Sequence, residues 1–177
     1  MSNQPFSHSI LIADVPAAGR DYSIEADLDE RERLAETLRI PEVRALAADF
    51  TVRPVRAGGY AVRGEVRGEV VQSCVVTLEP VVQQVAEEID LILMRAEDLD
   101  LPKRERDALV DAVETEGPEI FERGRIDLGV IAAEHLALGL DTYPRKPGVA
   151  FASHMEDKAE EKESPFAALA RLRTSGE

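Results

Sequence analysis

Only one cysteine, Cys74, occurs among the 177 residues, tryptophan is absent, and aromatic residues make up 5% of the chain. A single thiol cannot close an internal disulfide, so nothing calls for an oxidising compartment. With so few aromatic rings the core has to be built from Val, Leu, Ile and Ala. No apolar run reaches the roughly 18 residues needed to span a bilayer. No Lys or Arg precedes the short apolar run in Met1–Ile12. Neither a membrane span nor a secretory leader is therefore expected, and the expected location is the cytoplasm. Basic charge is also scarce: 21 Lys and Arg stand against 35 Asp and Glu, for a net charge of −14. Attraction to nucleic-acid phosphates or anionic lipid needs a positive field, and this chain presents the reverse. Its field favours a basic protein partner.

At this length one domain with a sizeable core is expected, over residues 1–150. An acidic, aperiodic linker (151–163) and a short docking helix (164–173) follow it. The most informative stretch is Tyr60–Met94. Tyr60, Val62, Val66 and Val70 fall on one side of an extended strand, and Arg63, Glu65, Arg67 and Glu69 on the other. A period of two over this length predicts a half-buried strand. Val85, Ile89, Leu91 and Leu93 repeat the pattern, interrupted by Glu87. With Phe50–Val55 before them, these segments predict a three-stranded antiparallel meander over 49–56, 60–72 and 81–94. The fold class is α+β, an antiparallel sheet covered by helices.

The other elements are local readings. Ser9–Val15 and Tyr22–Ala26 read as strands. Asp27 with Glu30 three residues on forms a capping box for a helix with Leu34, Ala35 and Leu38 inward, stopped by Pro41. Pro41–Ala47 reads as a second short helix with Val43, Leu46 and Ala47 inward. Asp127 caps a helix from Leu128 to Leu140. His135 on that helix has no triad partner or metal-ligand spacing around it and reads as a bystander. Residues 96–122 hold ten carboxylates against Lys103, Arg104 and Arg106. They read as a surface excursion with one helix over Lys103–Val113.

Two sets of residues are candidates for binding. Arg53, Arg56, Arg63 and Arg67 share the outward face of the meander and could grip phosphate, although Glu65 and Glu69 interleave with them. If the sheet binds anything, the Arg63–Glu69 face is the expected place. Pro165, Phe166, Leu169 and Leu172 lie near one face of a helix too short to stand alone in water, so it docks on its own domain or in a partner's groove. A competing class, a metal-dependent hydrolase or nuclease acting on RNA through 96–122, lacks a convergent carboxylate motif and a nucleophile.

Four segments stand in order: Gly64–Pro80 with Cys74, Thr77, Leu78, Glu79 and Pro80; Arg125–Gly129 with Asp127 and Leu128; Leu136–Arg145 with Tyr143, Pro144 and Arg145; and Ser164–Leu172. Together they resemble the YceD family over roughly residues 10–173. The resemblance implies a role in accumulation of large-subunit ribosomal RNA, hence in ribosome assembly. Combined with the acidic charge, it leads to the expectation of a non-enzymatic factor whose partner is a large-subunit ribosomal protein or an assembly intermediate. Direct RNA contact is not favoured by the charge. Many relatives resemble a Cys-x-x-Cys at the turn, which would suit zinc. Here Thr77 occupies the second position, and His8, His135 and His154 share no ligand spacing with Cys74. No metal and no cofactor are expected.

Overall fold

Two long strands form the spine, and a computed structural model describes residues 4–55, 59–95 and 119–149 around it. The chain begins with β1 (Ser9–Leu11), a single 3₁₀ turn at Ile12–Asp14, β2 (Arg20–Glu25) and α1 (Leu28–Leu38). The three meander strands follow as β3 (Glu42–Pro54), β4 (Tyr60–Ser73) and β5 (Pro80–Arg95). The last elements are β6 (Glu119–Phe121), β7 (Arg125–Asp127) and α2 (Leu128–Leu138). One five-stranded sheet runs in the order β2-β3-β4-β5-β6, and β1 pairs with β7 in a separate two-stranded ribbon. The described elements all belong to one unit, Met1–Pro147; a second unit, Gly148–Glu177, begins after it.

The meander and both helix starts agree with the sequence. Asp27 Oδ1 accepts from the Glu30 N–H at 2.8 Å while Glu30 Oε2 accepts from the Asp27 N–H at 3.0 Å, closing the capping box of α1. Arg39 then turns into the left-handed region (φ 56°), ending the helix two residues before Pro41.

Other expectations are corrected. Pro41–Ala47 is not a helix: β3 already runs from Glu42. The register of β3 on β4 shifts between Val43 and Ala45, a bulge that adds one residue to the strand. That extra residue converts the period of two into an i, i+3 spacing, Val43 to Leu46, which imitates a helix. The first strand stops at Leu11, because the chain tightens into a turn in which the Val15 N–H donates to the Ile12 carbonyl at 3.2 Å. Residues 119–121 are not a surface excursion, since β6 pairs parallel with Leu93–Arg95. It inserts Phe121 into the core edge-on to Tyr60, ring centroids 5.9 Å apart. The expected helix at Lys103–Val113, the linker and the tail helix lie outside the described residues.

Both helices cover one face of the sheet. Leu34 of α1 and Leu128, Ile131 and Leu136 of α2 join Leu46, Phe50, Val62, Val66 and Val70 in a single buried cluster. Fully burying each such side chain contributes about 1.5–3 kcal/mol. Gly68 leaves room for the tip of Leu136, since a Cβ there would lie 2.6 Å from Leu136 Cδ1. The opposite face of the sheet carries no helix among the described residues. His135 is held by its own helix, with Nδ1 3.0 Å from the Ile131 carbonyl.

Candidate functional site: the open sheet face and the Cys74 corner

The face opposite the helices, left open by the described residues, is charged. Asp21 and Glu25 on β2, Asp49 on β3, Glu65 and Glu69 on β4, and Glu88 and Asp90 on β5 share it with Arg53, Arg63 and Arg67, as the strand registers require. Arg63 Nε pairs with Asp90 Oδ1 at 3.0 Å. Arg67 reaches Glu65 Oε2 at 3.1 Å with one guanidinium nitrogen and Asp49 with the other. At the bulge, Arg44 bridges Glu42 (3.0 Å) and Glu69 (3.2 Å). The carboxyl of Glu69 is held below its usual range, first by the Gln84 amide at 2.6 Å and then by Arg44. Of the four candidate arginines, three therefore share one face, two of them engaged with carboxylates, and Arg56 lies outside the described residues.

At the end of the β4–β5 hairpin the Cys74 corner is strapped to the loop after α2. Inside the turn the Cys74 N–H donates to the Glu79 carbonyl at 2.8 Å and the Leu78 N–H to the Cys74 carbonyl at 2.9 Å. Across to the loop, the Val75 N–H donates to the Pro144 carbonyl at 2.9 Å, the Lys146 N–H meets Cys74 Sγ at 3.5 Å, and Lys146 Nζ pairs with Glu79 at 2.8 Å. That pairing holds the Glu79 carboxyl low and the Lys146 ammonium high. Pro144 is buried, whereas Tyr143, Arg145 and Leu78 are exposed. Leu78 stands 79% exposed at φ 61°, a conformation costly for a branched side chain.

Two residues of this corner carry no motif yet position it. The Gln72 amide donates to the Asp141 carbonyl at 3.0 Å, and the Gln83 amide donates to the Gly139 carbonyl at 2.8 Å while accepting from the Asp141 N–H at 3.1 Å. Both sit at inward-phase positions of their strands, and a polar side chain at such a position is the signal that finds them.

Cys74 itself is fully buried. Its thiol is pulled down to about 6, first by the Thr77 hydroxyl, then by the backbone N–H groups of Lys146 and Thr77, against the opposing effect of burial. A thiolate favoured in the folded state contributes stability that is complete above the unfolded thiol's value and is lost as pH falls through about 6. Thr77→Val should therefore melt below the wild type by a margin that opens between about pH 6 and about pH 8.5. Thermal melts across that range check this; a margin independent of pH would mean that the hydroxyl acts by packing alone.

Asp127 and Leu128 play structural parts. Leu128 is fully buried, and Asp127 caps α2 through the N–H groups of Gly129 (3.1 Å) and Val130 (3.2 Å). The same carboxylate accepts from the Ser7 hydroxyl (2.5 Å) and the His8 N–H (2.8 Å), tying down the segment before β1.

The long charged strand from Val62 onward, the Cys74 corner and the Asp127-capped helix fall within residues 62–173, which match the family model described as "Large ribosomal RNA subunit accumulation protein YceD". The chain belongs to this family. No curated protein and no solved structure matches it. The YceD match covers β4 from Val62 onward, β5 and the last three elements, whereas β1, β2, α1 and β3 precede it. Among the described residues no three metal-ligating side chains converge, and no helix is long and apolar enough to cross a membrane.

Proposed function

We propose that this YceD protein acts in the cytoplasm as a non-enzymatic factor that supports accumulation of large-subunit ribosomal RNA by binding a ribosomal protein or an assembly intermediate. The role comes from the family. The preference for a protein contact rests on one observation: Arg63 and Arg67, the guanidinium groups centred on the open face, are engaged with Asp90, Glu65 and Asp49. A phosphate would have to displace those carboxylates while approaching the others around them, against the electrostatic cost of like charges.

Affinity capture with the full chain at low and moderate salt should recover large-subunit components, and recovery of unrelated proteins alone would sink the reading. On bare RNA the expected result is negative. At about 150 mM salt the protein should not shift a large-subunit ribosomal RNA fragment. Replacing Arg53, Arg56, Arg63 and Arg67 by Glu should leave that result unchanged. A shift that disappears on charge reversal would transfer the contact to RNA.

A further inference from the structure

We propose that the open face of the sheet docks an extended, lysine- and arginine-rich polypeptide segment, centred on the cross-strand row Asp49–Glu65–Glu88; this inference rests on the protein-binding reading above. Asp49 pairs directly with Glu65, and Glu65 directly with Glu88, so three carboxylates stand in one line across β3, β4 and β5. Neighbouring strands are about 4.8 Å apart, which makes the row about 10 Å long. Like charges directly opposite one another destabilise a sheet. The fold relieves one half of the row only: Arg67 reaches Asp49 and Glu65. Glu88 is left out of the ion pairs among the described residues. A cation arriving from outside completes what Arg67 begins.

The shape of the face suits an extended chain. The next row is Ala47–Arg67–Ala86, whose two small side chains flank the guanidinium. A shallow depression bounded by Arg63, Glu65, Ala86, Glu88 and Asp90 adjoins it; Arg63 there is paired with Asp90, which leaves Glu88 the one carboxylate of these without an ion pair among the described residues. A bulky helix gains nothing from such a flat floor, whereas an extended segment sends every second side chain down onto it. Carboxylates outnumber guanidinium groups on this face, so the complementary occupant is cationic and the polyanionic alternative, RNA, is repelled.

The test uses the full chain and a fluorescent peptide of about twelve residues alternating Lys and Thr, with a Glu/Thr peptide as control, read by anisotropy at about 50 and about 150 mM salt. Glu65→Gln/Glu88→Gln should weaken Lys/Thr binding about tenfold, whereas Glu32→Gln/Glu36→Gln, which removes the same charge from the exposed side of α1 behind the sheet, should weaken it less than about twofold. Amide shifts on titration should concentrate on β4 and β5. Both pairs are solvent-facing, so melts of the two variants should match the wild type to within about 2 °C. Equal weakening by both variants, shifts mapping elsewhere, or no binding at low salt would each overturn the proposal. Capture of large-subunit components that survives Glu65→Gln/Glu88→Gln would overturn it while leaving the proposed function standing. Peptide binding at the row with no such capture would do the opposite.

Discussion

Asp127→Ala is expected to cost about 3 kcal/mol, because one side chain holds four donors from two distant parts of the chain. Losing the cap on α2 accounts for about 1 kcal/mol. The remainder comes from the Ser7 hydroxyl and the His8 N–H, whose bonds to the carboxylate fix the segment leading into β1. Since the Leu128 N–H also donates to the His8 carbonyl at 3.0 Å, that segment and the helix start are joined from both sides. For a domain of this size the loss should lower the melting temperature by about 10 °C. Asp127→Asn keeps an acceptor for the helix N–H groups and should recover part of the loss. A fall of less than about 1 kcal/mol in Asp127→Ala would show that the tie to Ser7 and His8 contributes nothing.

Gly64→Ala should be at least as damaging, about 3 kcal/mol or more. A glycine inside a strand is ordinarily unfavourable by about 0.5–1 kcal/mol relative to Ala, so with space available the substitution would stabilise. Space decides the sign. A Cβ at Gly64 would fall 2.1 Å from the Asp49 carbonyl oxygen. That atom belongs to the backbone of β3 and cannot swing aside as a side chain would. The β3–β4 ladder would have to part at Phe50, which faces Gly64 and is almost fully buried. Chemical denaturation of Gly64→Ala beside Glu65→Ala separates this local clash from a general sensitivity of the strand. Equal midpoints for the two variants would contradict it.

The strands β4 and β5 were legible in the sequence because their alternation is long and their inward phase is mostly aliphatic, with Gln72, Gln83 and Glu87 as its polar interruptions. The caps at Asp27 and Asp127 were legible because they rest on chemistry within four residues. Pro41–Ala47 misled because a bulge reproduces helical spacing over a few residues, and only the partner strand reveals it. Residues 119–121 were hidden because three residues carry no period, and their pairing with Leu93–Arg95 is set by distant contacts. The open face was half legible. That Arg63 and Arg67 point outward followed from the alternation, but their partners depend on register: Asp90 stands opposite Arg63, and Asp49 is reached diagonally past Ala47. The straps by Gln72 and Gln83 needed the loop after α2 to be in place.

The bulge in β3 also bears on how this chain tolerates changes of length. Beyond Ala45 the strand is paired without interruption from Leu46 to Pro54, and only Glu42 and Val43 lie on the far side of the irregularity. Deleting one residue between Val43 and Leu46 would straighten the strand and leave every core-facing side chain from Leu46 onward in place. The same deletion between Ala48 and Val52 would turn the rest of the strand inside out. The spare residue is thus a length buffer between α1 and the sheet, the place where a chain of this fold can gain or lose a residue without disturbing its core.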